Sequence, residues 1–235
     1  RVSKQIITIS ETSKKDIVRH YPFSSNKIAV THLAYDNKRF NKFVSKKDVR
    51  RVKNKYSIVC DYILFLGTLK PSKNIERLLE AFKEVTLKIS DSKEIMLVIA
   101  GKRGWLYKAI FEKVKTLRIQ DKVIFTDFIS EKDKPALISG AKVLVAPSLW
   151  EGFGLDALEA MACGVPVVVS KVGSLKEVVG NSGVLVDPYN IQSIKNGILK
   201  VLSMNEMEYN RLGQEGLRQA QKFSWEKTAR QTLNI

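Results

Sequence analysis

Short apolar runs rich in β-branched residues recur from Tyr62 onward, and stretches of helical period separate them. The runs occupy residues 63–65, 95–99, 123–125, 143–145, 165–169 and 184–186. Strands that are apolar throughout have both faces covered, and strands that alternate with helices form parallel sheets. The pattern therefore predicts an α/β fold built on a doubly wound, Rossmann-like parallel sheet.

The N-terminal residues predict a smaller unit of the same kind. Apolar runs at 6–10 and 27–31 predict strands, and the stretch 10–20 between them predicts a helix capped by Ser10 or Thr12. Because the chain opens with Arg1 instead of Met and enters an apolar run at once, we expect that an N-terminal domain is missing.

A dense series of Lys, Arg and Asn follows, over residues 36–56, without an apolar period sufficient for a core element. We interpret this stretch as an interdomain connection. The predicted units are a domain remnant over 1–40, a linker over 41–56, the sheet domain over 57–204 and C-terminal helices over 205–235.

The charge balance matters for possible partners. With 40 Lys and Arg against 24 Asp and Glu, the net charge of +16 would attract any polyanion. The basic stretches lack the aromatic interleaving of a single-strand binder and any zinc-finger pattern, so we expect no specific nucleic acid. A solvated surface and an anionic membrane surface both stay open. No long apolar run or secretory signal occurs, which predicts a soluble, cytoplasmic protein.

The loop after the apolar run 143–145 holds the densest set of functional residue types. Gly152 and Gly154 allow a ligand to approach the backbone, and the helix that follows begins with free amides suited to a diphosphate. Glu151 and Glu159 stand eight positions apart around this helix start. Carboxylates beside a phosphate site are best explained as acceptors from ligand hydroxyl groups.

The segment EGFGLDALEAMACGVPVVVS, residues 151–170, resembles the Glu-x7-Glu motif of the retaining glycosyltransferases with the GT-B fold, the glycosyl transferases group 1. The likeness continues through residues 67–74, 173–180 and 185–188 and covers nearly the whole chain. Residues 6–36 look like the last elements of that family's N-terminal, acceptor-side domain. The resemblance implies that the chain is mainly the C-terminal, donor-binding half of a GT-B fold.

The resemblance also implies roles for single residues. Glu151 matches the acceptor of hydrogen bonds from the transferred sugar, and Glu159 matches the residue that holds the ribose hydroxyls. Lys73 falls where the family places a lysine on the diphosphate, and a cation there offsets charge on the leaving group. Glu151 and Lys73 are thus the predicted catalytic residues. The predicted donor-binding residues are Thr68, Lys73, Phe128, Ile129, Glu151, Gly152, Phe153, Gly154, Leu155 and Glu159.

Two positions depart from the family pattern. Thr68 stands where many members carry an arginine, so either its hydroxyl binds phosphate or Lys70 or Lys102 supplies the missing cation. Asp156 stands where proline is usual; it suits the helix dipole, and we expect its side chain to point away from the diphosphate.

The implied function is retaining transfer of a hexose from a nucleotide-diphosphate sugar to a glycan or lipid-linked acceptor such as lipopolysaccharide core. GDP-mannose is the favoured donor, on the likeness of residues 66–74 to mannose-handling members. No metal or other cofactor is expected, since the chain has no Asp-x-Asp pair. We expect a location on the inner face of the cell membrane. We also expect no transfer by the 235 residues alone, because neither His20 nor His32 fits the family's acceptor-side histidine.

Other readings of the same residues stay open. Gly152-x-Gly154-x-x-Ala157 formally matches a dinucleotide fingerprint, but no acidic residue ends the next predicted strand, as an NAD site requires. A nucleotide-sugar epimerase and a non-catalytic nucleotide- or polyanion-binding module are the alternatives in function. Lys73 could also be no more than an exposed lysine at a helix start, and we leave Glu177 out of the predicted site.

Overall fold

The computed structural model describes residues 3–89 and 94–235, in which helices and strands alternate along most of the chain. The strands are β1 Ile6–Thr8, β2 Ile28–Val30, β3 Asp61–Leu66, β4 Ile95–Ala100, β5 Val123–Asp127, β6 Val143–Ala146, β7 Val167–Ser170 and β8 Val184–Val186. The helices are α1 Glu11–His20, α2 Lys46–Lys55, α3 Ile75–Thr86, α4 Lys108–Thr116, α5 Lys134–Ser139, α6 Leu155–Ala162, α7 Leu175–Val179, α8 Ile191–Leu202, α9 Glu206–Ala220 and α10 Trp225–Leu233.

Six strands form one parallel sheet in the order β5-β4-β3-β6-β7-β8. The chain winds outward from β3 to one edge and then returns to place β6 on the other side of β3. This is the strand order of doubly wound dinucleotide-binding sheets, so the predicted fold class is confirmed. In such sheets ligands bind outside the carboxyl ends of the two strands where the order reverses, here β3 and β6.

Helices cover both faces of the sheet, and β3 shows why. Its residues Tyr62 and Leu64 point into the core beneath α5 and α6, whereas Ile63 and Phe65 point into the core beneath α3 and α8. All four side chains are fully buried. Because successive side chains of a strand face opposite ways, a strand buried on both faces must be apolar at every position.

The first residues form a small parallel pair, β1 with β2, connected by α1. Ser10 caps α1, with its hydroxyl accepting from the amide of Ser13, as one of the two predicted caps. This unit packs on the larger domain: Trp150 Nε1 donates to Asp16 at 2.9 Å, and the Glu177 carboxylate accepts from the amide of Glu11 at 3.0 Å. Glu177 thus caps the start of α1 from another part of the chain.

The prediction that residues 36–56 contain no core element is wrong. Residues 46–55 form α2, whose Val52 is completely buried in the core together with Phe40. Arg51 and Lys55 bond to the Asp133 carboxylate at 2.8 and 2.6 Å. Burial opposes ionisation of Asp133, but the two cations outweigh it and lower the pKa to about 2. Because few apolar residues anchor α2, its sequence shows only a weak apolar period. The predicted domain boundaries stay predictions.

Candidate nucleotide-sugar site

The loops that follow β3, β6 and β8 are joined at the carboxyl end of the sheet. The amide of Leu149 donates to the carbonyl of Ser72 at 2.8 Å, which ties the loop after β6 to the loop after β3. Asn74 is buried and donates through Nδ2 to the carbonyls of Pro147 at 2.9 Å and Pro188 at 2.7 Å. These hydrogen bonds hold the three loops together at the reversal point of the sheet.

Lys73 and Glu151 meet at this point. The Lys73 ammonium forms an ion pair with Glu151 Oε1, and the two side chains are only 14% and 16% exposed. Ser148 Oγ donates to the same carboxylate oxygen at 2.9 Å, and Ser174 Oγ donates to the Glu151 carbonyl at 2.8 Å. The predicted catalytic residues, far apart in sequence, thus share one partly buried, hydrogen-bonded cluster.

Two glycines of the predicted motifs are required by the backbone. Gly67 has φ of +137°, and a Cβ on it would stand 3.2 Å from Lys73 Cε. Gly154 caps α6 with φ of +100°, and a Cβ on it would stand 2.5 Å from Leu175 Cδ2. Larger residues would displace Lys73 or strain the start of α6. Gly152 and Leu155 flank this helix start, whose first amides have no intrahelical acceptor and can bind an anion.

Glu159 lies on the second turn of α6 and is paired with a residue that the sequence analysis did not single out. Lys134, the first residue of α5, places its Nζ 2.5 Å from Glu159 Oε2 and 3.1 Å from Asp156 Oδ1. Asp156 therefore points toward α5 and its lysine. Glu159 is 8% exposed, and its burial raises the pKa of this carboxyl to about 7, with Lys134 opposing the rise.

The loop after β5 presents an aromatic surface beside a cation. Phe128 is 60% exposed, and Lys102 Nζ lies 5.0 Å from the centroid of its ring. Ile129 is buried in the core, so only its backbone faces the loop. Thr68 is exposed at the start of the loop after β3. Phe128 offers a flat apolar face on which a base can stack.

Phe153 has a packing role that the motif did not indicate. Its ring is buried and lies 6.0 Å from the ring of His32 and 5.8 Å from that of Phe223. His32 Nε2 in turn lies 2.6 Å from Glu177 Oε1. The side chain of Phe153 thus holds the loop after β6 against the N-terminal unit and the C-terminal helices, and only its backbone is left for a ligand.

The structure adds Lys134, Asn74, Ser148 and Ser174 to the predicted site. Each was invisible in the sequence for the same reason, since its role depends on a loop or helix that is distant along the chain. Among residues 3–89 and 94–235, no group of three or more His, Cys, Asp or Glu side chains is arranged to hold a metal ion. Within the same residues no helix is both long and apolar enough to cross a bilayer.

Doubly wound domains commonly bind nucleotides or dinucleotides at the reversal point of the sheet, where a helix starts beside charged side chains. The chain belongs to the glycosyl transferases group 1, whose family model matches residues 53–219. This confirms the family that the sequence resembles, and it does not favour the alternatives of an epimerase or a non-catalytic nucleotide- or polyanion-binding module.

Two relatives that are similar in sequence to this chain are named mannosyltransferases. An O-antigen chain mannosyltransferase B of Escherichia coli is 36% identical over 99% of this chain and 60% of its own length. An MMP alpha-(1->4)-mannosyltransferase of Mycolicibacterium hassiacum is 34% identical over 100% of this chain and 55% of its own length. The chain therefore spans little more than half the length of these relatives.

A solved structure supports the fold. The Anabaena protein Alr3699/HepE, crystallised in complex with UDP-glucose, superposes on 100% of this chain and 65% of its own, with a TM-score of 0.87 and 19% identity. At that identity the match shows the fold alone. The GT-B fold predicted for this chain is confirmed.

Proposed function

We propose that the protein is a retaining hexosyltransferase whose donor, a nucleotide-diphosphate sugar, binds at the carboxyl ends of β3 and β6. The observation that carries this proposal is the partly buried Lys73–Glu151 pair beside the start of α6. One end of the pair suits a diphosphate and the other suits sugar hydroxyls, which are the two chemical features that flank the bond broken in glycosyl transfer.

In this arrangement the diphosphate contacts the first amides of α6 and the ammonium of Lys73. Negative charge grows on the diphosphate as the glycosidic bond breaks, and fixed positive groups in a partly buried site stabilise that charge best. The Glu151 carboxylate then accepts hydrogen bonds from the sugar and orients its anomeric carbon. Lys73 and the amides provide electrostatic stabilisation from the protein itself, so we propose a reaction that needs no metal or cofactor.

The nucleoside extends from the diphosphate toward α5 and the loop after β5. Glu159 accepts from the ribose hydroxyls, and the exposed ring of Phe128 packs against the base. Thr68 stands where many family members carry an arginine, and we propose that Lys70 or Lys102 supplies that positive charge. The remaining residues, including those that bind the acceptor, belong to the N-terminal half of the GT-B fold that we propose for the whole protein.

Mannose is the sugar that we propose, with GDP-mannose as donor. Support comes from two relatives that are named mannosyltransferases and are 36% and 34% identical to this chain. The E. coli relative is named for the O-antigen chain, which favours a glycan or lipid-linked acceptor of lipopolysaccharide synthesis for this protein also.

Nucleotide titration tests the donor site. We expect calorimetry without added metal to show micromolar binding of one nucleotide among UDP, GDP and ADP. We expect Glu159→Ala to weaken it at least 10-fold, because two charge-assisted hydrogen bonds are lost. Glu76→Ala, an exposed glutamate on α3, is the matched control and should bind as the wild type does. Equal binding by Glu159→Ala and wild type would refute the ribose assignment.

A membrane-bound acceptor would also require the protein to approach an anionic surface, and we propose that α2 makes this contact on the cytoplasmic face. Lys42, Lys46, Arg50 and Lys53 line a cleft of about 920 Å³ whose apolar lining includes Val49 and Ile58. In the described part of the chain none of these four cations has a carboxylate within ion-pair distance. Phe43, next to Lys42, is 80% exposed.

Cations around an apolar lining fit the headgroup region of an anionic bilayer better than they fit nucleic acid. Nucleic acid would leave the apolar lining without a partner, whereas lipid provides both phosphate and hydrocarbon. Each cation near such a surface contributes about 1 kcal/mol, and exposed aromatic residues add apolar burial.

Vesicle flotation tests this surface. We expect binding to vesicles that contain anionic phospholipid and none to neutral vesicles. Replacing Lys42, Lys46 and Arg50 together with serine should weaken binding about 100-fold, from roughly 3 kcal/mol of lost attraction. Serine at Lys88, Lys108 and Lys122 removes the same charge from exposed positions elsewhere and should change binding little. Equal loss in both triple variants, or equal binding to neutral vesicles, would contradict the proposal.

A further inference from the structure

Lys134 connects α5 to the nucleoside end of the candidate site. Its ammonium lies 2.5 Å from Glu159 Oε2 and 3.1 Å from Asp156 Oδ1, and 5.7 Å from the ring centroid of Phe40. The lysine side chain is only 16% exposed. A lysine is rarely buried to this degree unless it is paired, so its position depends on the two carboxylates of α6.

The surroundings of Glu159 are otherwise unfavourable to a negative charge. Asp156 faces it from its own helix and Glu131 from the loop before α5, and both are acidic. Cys163, one turn further along α6, is kept as a neutral thiol because burial raises its pKa to about 11. In the described part of the chain, Lys134 is the one cation paired with Glu159.

Burial by itself would leave the Glu159 carboxyl protonated, and a protonated carboxyl accepts hydrogen bonds weakly. We propose that Lys134 is a positioning residue of the donor site, which favours ionisation of Glu159 near neutral pH and directs its carboxylate toward the ribose hydroxyls of a nucleoside diphosphate. Asp156 contributes by pairing with Lys134. Burial lowers the pKa of Lys134, but Asp156 and Glu159 together outweigh it and raise that pKa, so the lysine stays charged.

This inference rests on the proposed donor site, and it predicts that nucleotide affinity depends on pH. Glu159 accepts ribose hydroxyls well only when it is ionised, and its pKa of about 7 places the change near neutrality. Nucleotide affinity of the wild type should therefore rise as the pH increases through about 7 and level off above it. Without the lysine, the Glu159 carboxyl ionises only at higher pH, so the increase in nucleotide affinity should occur at higher pH than in the wild type.

The test is titration of the protein between pH 6 and 9 with whichever of UDP, GDP and ADP the wild type binds most tightly. We expect Lys134→Met to bind about 10-fold more weakly at pH 7 and to recover most of that loss at pH 9. Lys134→Arg keeps the charge and should retain the profile of the wild type. Glu159→Gln should bind weakly with no rise near pH 7, and Lys132→Met removes an exposed neighbouring lysine as the control.

The pH profile separates a positioning role from a structural one. A Lys134→Met variant that merely disturbs α5 would bind weakly at every pH, and that result overturns the inference, as would affinity equal to the wild type at pH 7. If Glu159→Gln weakens binding while Lys134→Met does not, the inference fails and the donor site stands. If the wild type binds none of the three nucleotides, the proposed function itself fails.

Discussion

Replacing Glu151 with glutamine should lower donor turnover about 100-fold while nucleoside diphosphate affinity changes less than 3-fold. Glutamine keeps the volume of the side chain but replaces the carboxylate that accepts from the sugar, and it leaves the partly buried Lys73 without its anionic partner. The sugar is absent from a nucleoside diphosphate, so binding of that ligand reports only on the rest of the site. Because we expect no transfer by the 235 residues alone, turnover is measured with acceptor in the protein that carries the proposed N-terminal half, as release of nucleoside diphosphate from the nucleotide sugar.

Glu76→Gln provides the matched control for Glu151→Gln, since Glu76 is an exposed carboxylate on the first turn of α3. It should turn over donor at the wild-type rate. Turnover by Glu151→Gln within 3-fold of the wild type would mean that this carboxylate does not hold the transferred sugar.

Replacing Lys73 with methionine should lower both turnover and nucleoside diphosphate affinity. The ammonium contacts the diphosphate before and during bond cleavage, so we expect about 10-fold weaker binding and a further loss of about 100-fold in kcat. Binding of the nucleoside without phosphates should be unchanged. The unpaired Glu151 carboxylate would then repel the diphosphate, and this adds to the loss.

Lys108→Met removes an exposed lysine from the start of α4 and is the control for Lys73→Met. The double variant Lys73→Met with Glu151→Gln should lose less than the two single losses added in free energy, because the residues are in contact. If Lys73→Met weakens nucleoside and nucleoside diphosphate equally, the lysine does not bind phosphate.

The sheet was predictable from sequence because both faces of every central strand are buried. Short, β-branched apolar runs such as 143–145 and 165–169 are typical of strands that are buried on both faces. The strands β6 and β7 overlap these two runs. The helix α2 was not predictable in the same way. Its anchors are Val52 and ion pairs to Asp133, and an ion pair to a residue about eighty positions away leaves no periodic signal.

Some residues of the candidate site were likewise predictable from the sequence, and others were not. Lys73 and Glu151 were predicted as catalytic residues from the family resemblance, and the doubly wound sheet places the loops that hold them side by side. Lys134 was missed, since nothing local distinguishes it from the neighbouring exposed Lys132. Only the packing of α5 against α6 shows that one of these lysines is directed at Glu159. The burial of Phe153 likewise depends on contacts with His32 and Phe223.

The most direct test of the donor site is a crystal structure of the protein with the nucleoside diphosphate that binds most tightly. We expect the diphosphate between the first amides of α6 and Lys73, with ribose hydroxyls within hydrogen-bond distance of the Glu159 carboxylate and the base against Phe128. A nucleotide bound away from the carboxyl ends of β3 and β6, or one whose ribose does not contact Glu159, would contradict it.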